Sequence, residues 1–303
     1  MKKIPLIIDC DPGVDDAFAI ILANSLEELD IKAITTVNGN VGIDLTTRNA
    51  LLLADLLDLD CTVARGAEVP LVKPLREKSN THGSDGLGGC LNLFPKEIRK
   101  ELSKEDAVTT IKNILMDSEE KVTIAAVGPL TNIALLLKLY PQVKEKIEVI
   151  SIMGGAINNG NVTPCSEFNF YEDPEAASIV FNSGVPLIMS GLNLTVNATL
   201  TEENLNEMKA IGNKLSEIAV PMISDYISKD AAIHDPCAIL AITHPEMFES
   251  EDLYVQIDTR EGITRGMSYA DYRSKNTNPP NCKVLTKMDT TKFREFIVNS
   301  IKL

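Results

Sequence analysis

The segment Asp9-Cys10-Asp11-Pro12-Gly13-Val14-Asp15-Asp16 holds four carboxylates within eight residues, with no Lys or Arg among them. Like charges this close repel and raise one another's pKa values. A bound cation removes that penalty, and hard carboxylate oxygens suit Ca²⁺ or Mg²⁺ better than a soft metal. Asp15 and Asp16 also fit a plainer role, as first-turn acids favoured by the dipole of a following helix. Four acids together favour the cation site. A second candidate is Ile233-His234-Asp235-Pro236-Cys237. Asp before Pro commonly starts a helix, with Asp at the N-cap and Pro at N1. Asp173-Pro174 offers a comparison within the same chain. Asp235 is therefore either a cap or a ligand. His234 beside it is either a structural imidazole or an acid that titrates near neutral pH.

A third segment, Met153-Gly154-Gly155, leads into a loop bearing Asn158, Asn159, Asn161, Glu167, Phe168 and Asn169. Amides and carboxylates recognise hydroxyl groups well, although composition alone also fits a solvated turn. In the fourth, Val127-Gly128-Pro129-Leu130-Thr131-Asn132, a backbone carbonyl at a strand end can complete a hard-metal shell. Asn38-Gly39-Asn40 and Thr81-His82-Gly83-Ser84-Asp85-Gly86, taken alone, read as turns. Segments 9–16, 38–42, 82–89, 127–132, 153–170 and 234–237 contain no Lys or Arg. A phosphate-bearing substrate normally meets cationic side chains or a Gly-rich phosphate loop. Hydroxyl-binding residues beside a hard cation point instead to a neutral polyol, such as a sugar or nucleoside.

The elements that must hold these residues alternate. Ile4 to Ile8 reads as a strand buried on both faces, and Asp15 to Ala23 as a helix. Strands follow at 31–37, 62–64, 122–127, 147–153 and 185–189. Helices are expected at 45–57, 104–116, 130–139 and 174–182. Residues 70–95 read as a long loop, a length often tied to function. Thr201 to His244 is mostly helical. Leu253 to Ile257 with Gly262 to Ser268 suggests a strand and hairpin return, and Asp289 to Ser300 a closing helix. This pattern predicts a doubly wound, mainly parallel open α/β sheet of Rossmann-like kind, with a helical C-terminal elaboration. No linker or repeat interrupts it, so residues 1–303 are expected to form a single domain.

The chain has 303 residues, 44% of them hydrophobic, and a net charge of −14. That composition excludes a disordered or collagen-like protein. The acidic balance argues against nucleic acid and anionic membranes as partners. Six scattered cysteines without CxxC spacing read as reduced thiols in a cytoplasmic protein. The N-terminus turns acidic too early for a signal peptide, and no apolar run is long enough to span a membrane.

In these residues the chain resembles the calcium-dependent nucleoside hydrolases, the inosine-uridine preferring nucleoside N-ribohydrolases. The resemblance begins at Asp9–Asp16. It continues in order through Asn38-Gly39-Asn40, His82-Gly83, Gly128-Pro129-Leu130-Thr131-Asn132, Met153-Gly154-Gly155, Glu167-Phe168-Asn169, Asp173-Pro174-Glu175-Ala176-Ala177, His234-Asp235-Pro236 and Thr264-Arg265-Gly266-Met267. It implies that Asp11, Asp16 and Asp235, with the carbonyl of Val127, hold Ca²⁺. It implies that Asp15, Asn40, Met153, Asn161, Glu167, Asn169 and Asp235 surround a ribose. Asp11 would also be the base that activates a calcium-bound water. His234 would face the departing base as its acid, with His82 nearby. A cytoplasmic homodimer or homotetramer acting in nucleoside salvage is the implied setting. The segment between Ser224 and His234 departs from the family's longer, more aromatic one, with Tyr226 its single ring, and leaves the choice between purine and pyrimidine open.

Two other readings compete. A metal-dependent phosphohydrolase with an Asp-x-Asp nucleophile would need Lys or Arg near the site. A non-enzymatic sugar-sensing module on the same fold would need a damaged ligand set, yet Asp11, Asp15, Asp16, Asn169 and Asp235 are all present.

Overall fold

In a computed structural model, which describes residues 2–75, 80–157, 159–273 and 277–303, β1 (Ile4–Cys10) runs through the centre of the protein. Leu6, Ile8 and Cys10 enter one apolar cluster and Ile7 the other. This is the period-two alternation of a strand covered on both faces. The chain continues through α1 (Val14–Ser25), β2 (Leu29–Thr36), α2 (Ile43–Leu56), β3 (Thr62–Arg65), α3 (Ala107–Asp117), β4 (Val122–Ala126), α4 (Thr131–Leu139) and β5 (Ile147–Met153). Next come α5 (Phe168–Glu172), α6 (Pro174–Phe181), β6 (Leu187–Ser190) and α7 (Leu192–Thr195). The C-terminal part adds α8 (Glu202–Ile211), α9 (Lys214–Ile227), α10 (Pro236–Thr243), β7 (Phe248–Leu253), β8 (Val255–Ile257), β9 (Ser268–Ala270), β10 (Cys282–Met288) and α11 (Thr290–Ser300).

Among the described residues one sheet has eight strands, in the order β3-β2-β1-β4-β5-β6-β10-β7. The pairings are parallel except that of β10 with the antiparallel edge strand β7. The first six strands have the doubly wound order expected from the alternation. The order reverses between β1 and β4, and open α/β sheets bind ligands at the carboxyl ends of the strands flanking such a reversal. Asp11 follows β1 there, and Val127 follows β4.

Several boundaries differ from expectation. The strand expected within Gly262–Ser268 lies at Ser268–Ala270 and pairs with β8, while residues 262–267 form a turn. That turn is shaped by Asp258, which accepts hydrogen bonds from the Thr264 hydroxyl (2.8 Å) and the Arg260 guanidinium (2.8 and 2.9 Å). Strand β10 was not anticipated, nor was β7. The β7 sequence Phe-Glu-Ser-Glu-Asp-Leu lacks a buried face because it is an edge, and its acids discourage pairing with another chain. Helix α3 begins three residues later than expected, because Asp106 caps it by accepting from the Thr109 N–H (3.0 Å). The cysteines are free thiols, all buried but the half-buried Cys165. Among the described residues no helix is long and apolar enough to cross a membrane.

Candidate active site

The four acids of the first segment divide their work. Asp9 turns away from the strand ends. Its Oδ1 accepts from the Thr35 hydroxyl (2.6 Å) and the Asn132 amide (2.8 Å), tying β1 to β2 and α4. Burial pushes its carboxyl up to about 7, against those two donors. Asp16 answers the orphan amides at the start of α1. Its Oδ1 accepts from the Asp11 N–H (3.0 Å) and its Oδ2 from the Gly13 N–H (2.9 Å) and the Asn40 side chain (3.0 Å). The plainer reading of Asp16 as a first-turn acid is therefore correct as far as it goes. Burial, then the charge of Asp15, raises its pKa to about 6.

Asp11 sits in a slot with bare glycine on two sides. A Cβ on Gly39 would overlap its Oδ2, and one on Gly128 would come within 2.6 Å of its Oδ1. The Asn40 N–H donates to Oδ2. Gly39, in a segment that reads as a plain turn, and Gly128, in the strand-end segment after β4, thus admit this carboxylate. Asp15 points into the cavity. Its Oδ2 accepts from the Tyr226 hydroxyl (3.3 Å), while its buried Oδ1 has no hydrogen-bond partner. Burial chiefly raises its pKa.

Asp235 and Asp173 separate the cap from the ligand. Asp173 is a true N-cap: it accepts from the Ala176 N–H (3.0 Å), as well as from the Thr131 hydroxyl (2.7 Å). Asp235 occupies the equivalent position before α10 but makes no side-chain cap bond. Its carboxylate turns instead toward Asp15 and Asp16, and oxygens of all three lie within 4.8 Å of one another, all buried. Burial, then the charges of Asp15, Asp16 and Asp11, pushes the Asp235 pKa far up. Such an arrangement costs energy unless a cation or protons neutralise it. Its chemistry, buried oxygen donors with an orphaned acceptor on Asp15, fits a hard divalent metal. Asp16 and Asp235 are shared with the ligand set implied by the resemblance; Asp15 stands in the cluster where that set has Asp11.

The loop after β5 supplies the opposite wall. Glu167 caps α5, accepting from the N–H groups of Asn169 (2.9 Å), Gly155 (2.7 Å) and Phe170 (3.2 Å). Burial still lifts its pKa to about 7. The Asn169 amide donates to the carbonyls of Val127 (2.9 Å) and Met153 (3.1 Å), locking the ends of β4 and β5 together.

A cavity of about 420 Å³ opens between these walls. Asp15, Asn40, His82, Val127, Met153, Asn161, Glu167, Asn169, His234 and Asp235 all line it, so these expected site residues meet in one place. Asp11 and Asp16 lie behind the lining, held by Asn40. Asn158 lies outside the described residues. Sequence reasoning did not anticipate Lys229 and Asp230, which reach the cavity beside Tyr226 at the end of α9. Both follow the end of α9, where no periodic pattern marks them.

The two cavity histidines differ. His82 accepts a hydrogen bond on Nδ1 from the Val14 N–H (3.1 Å), so it helps cap α1 and carries its proton on Nε2. Burial holds its pKa down at about 4. It also packs on Tyr226, with ring centroids 5.1 Å apart. His234 contacts the Thr195 hydroxyl through Nδ1 (2.8 Å) and Asp230 through Nε2 (3.3 Å). Burial lowers its pKa, but the Asp230 bond and the charges of Asp15, Asp230 and Glu167 outweigh that and raise it.

A doubly wound sheet with an acidic cavity at its reversal point defines an α/β protein whose ligand site lies at the carboxyl ends of the strands. The sequence pattern of the family described as inosine-uridine preferring nucleoside hydrolase matches residues 6–295. The pyrimidine-specific ribonucleoside hydrolase RihA of Escherichia coli strain SMS-3-5 is 40% identical, covering 99% of this chain and 98% of its own. Among solved structures, the purine-preferring ribonucleoside hydrolase from Gardnerella vaginalis superposes with a TM-score of 0.91 at 30% identity, over 98% of both chains. An inosine-guanosine nucleoside hydrolase does so with a TM-score of 0.92, also at 30% identity and 98% coverage of both. This chain belongs to the inosine-uridine preferring nucleoside hydrolase family. It is a ribonucleoside hydrolase, an enzyme that cleaves the N-glycosidic bond, and the phosphohydrolase and sensor readings fall away.

Proposed function

We propose that this enzyme hydrolyses pyrimidine ribonucleosides foremost, using Ca²⁺ held by Asp11, Asp16, Asp235 and the Val127 carbonyl. The observation that carries the metal is the buried cluster of Asp15, Asp16 and Asp235. The 40% identity to RihA over nearly the whole chain supports the pyrimidine preference. A bound Ca²⁺ would supply positive charge that acidifies water and orients the ribose diol.

The protein's own groups do the rest. Asp15, Asn40, Asn161, Glu167 and Asn169 bind ribose hydroxyls, the unpartnered Oδ1 of Asp15 being an acceptor ready for one. Asp11 takes the proton of the attacking water. The surrounding carboxylates and carbonyls stabilise the oxocarbenium-like sugar as the glycosidic bond breaks. His234 protonates the departing base, and its two hydrogen bonds hold the ring at that end of the cavity. The working form is a cytoplasmic homo-oligomer of single-domain subunits. The apolar clusters on both faces of one sheet support the single domain. A panel of ribonucleosides assayed for free ribose tests the function: uridine or cytidine should be cleaved fastest. Release from none of them would overturn it.

A further inference from the structure

The cavity is built against negative charge. Asp15, Glu167, Asp230 and Asp235 line it, and this favours a sugar that becomes positive. The departing base faces the reverse problem. When the bond between ribose C1′ and the base nitrogen breaks, the electron pair stays with the base. An anion then grows inside an acidic cavity until a proton reaches it.

Among the described residues that line the cavity, Lys229 is the one Lys or Arg. It follows α9 directly, with its backbone N–H donating to the Tyr226 carbonyl (2.8 Å). Its Nζ donates to Asp225 Oδ2 at 2.6 Å, and the residue lines the cavity together with Tyr226, Asp230 and His234. An ammonium has three protons, and this bond uses one. The side chain is 32% exposed, so water screens its charge only in part. Its field reaches inward: after burial and the other His82 neighbours, Lys229 adds to the downward push on the His82 pKa.

We infer that Lys229 is a specificity-determining residue: its ammonium donates a hydrogen bond to the exocyclic oxygen of a keto base and favours such ribonucleosides over those of amino bases. The inference rests on the reading of this cavity as a ribonucleoside site. In the reaction, water oxygen bonds to C1′ as the C1′–N bond breaks. One water proton passes to Asp11, and the electron pair on the base nitrogen spreads by conjugation onto the exocyclic oxygen at C4 of uracil or C6 of hypoxanthine. There it meets the ammonium, before a proton neutralises the base. Cytosine and adenine present an amino group at that position, a donor facing a donor, which is unfavourable.

The test uses the full chain with calcium and compares wild type with Lys229→Met and Lys229→Arg. kcat/KM is measured for uridine, cytidine, inosine and adenosine. A charge-assisted hydrogen bond is worth roughly tenfold or more in rate. The uridine-to-cytidine and inosine-to-adenosine ratios should each fall about tenfold in Lys229→Met, and Lys229→Arg should restore most of both. Melting temperature verifies that the variants are folded. Ratios that stay unchanged, with all four substrates slowed equally or not at all, overturn the role of Lys229. A wild type that releases ribose from none of the four overturns the ribonucleoside reading instead.

Discussion

The carboxylate of Asp11 lies against the bare Cα of Gly39, so closely that a methyl group on that carbon would overlap Oδ2. Gly128 faces the other oxygen, and a Cβ there would come within 2.6 Å of Oδ1. Gly39→Ala should therefore rotate Asp11 out of place. A misplacement of about 1 Å in a reacting group costs on the order of 10²-fold in rate. Ribose release at saturating substrate gives the answer, and a wild-type rate in the folded variant would show that Asp11 does not need this slot.

Asp11→Asn probes the same carboxylate chemically. The amide keeps the shape but cannot accept the water proton. Turnover should drop by about 10²–10⁴-fold, the usual contribution of a general base. Asp11→Ala should be at least as damaging. Circular dichroism should show both variants folded, and substantial turnover by the Asn variant would move the base elsewhere.

Calcium should stabilise the folded protein, because the unfolded chain cannot assemble positions as distant as 11, 16, 127 and 235. At about 100 times its dissociation constant the ion would add about 2.7 kcal/mol. Prolonged chelation should lower the melting temperature and the activity together, and added calcium should restore both. Elemental analysis of fully active protein that finds no calcium would remove the ion from the reaction.

His234→Ala should slow natural ribonucleosides strongly while sparing p-nitrophenyl riboside, whose leaving group departs without a proton. The substitution also strands Asp230, which loses its partner on Nε2. Equal losses for both substrates would mean that His234 supports the ribose end, and would turn attention to His82 and Tyr226.

Asp85 organises the loop that delivers His82. Its carboxylate accepts from the N–H groups of Leu87 (2.9 Å), Gly89 (2.9 Å) and Leu91 (3.2 Å). Burial would raise its pKa, but those three donors outweigh it and hold the carboxyl below its ordinary range. Because the folded pKa is depressed, this contribution is complete above about pH 4, the unfolded value, and is lost only as pH falls through the lowered one. Asp85→Ala should raise KM and expose the loop to limited proteolysis at neutral pH. In wild type the loop should resist protease across about pH 5 to 8. An Asp85→Ala enzyme with unchanged KM and protection would show that the loop holds itself.

Much of this enzyme was legible in its residues. Alternating apolar runs give the doubly wound sheet, since a strand buried on both faces must be apolar throughout. The Asp9–Asp16 segment marks the acidic cluster, although of its four acids only Asp15 and Asp16 join it, beside Asp235, while Asp9 is tied to Thr35 and Asn132. Strand β7 escaped notice because an exposed edge leaves no hydrophobic pattern, and β10, an inner strand, because the exposed Lys283 and Lys287 interrupt its buried Cys282, Val284 and Leu285. Local sequence could not tell Asp235 from Asp173, as both precede Pro at a helix start. Only the packing of α10 against α1 turns one carboxylate into the acidic cluster and leaves the other on its own helix. The same limit applies to Asn40 and His82. Their neighbours in space lie far away in the chain, 68 residues apart for His82 and Val14. Such pairings are decided by how the elements pack, because a hydrogen bond or a charge is felt across a few ångströms of space and not along the sequence.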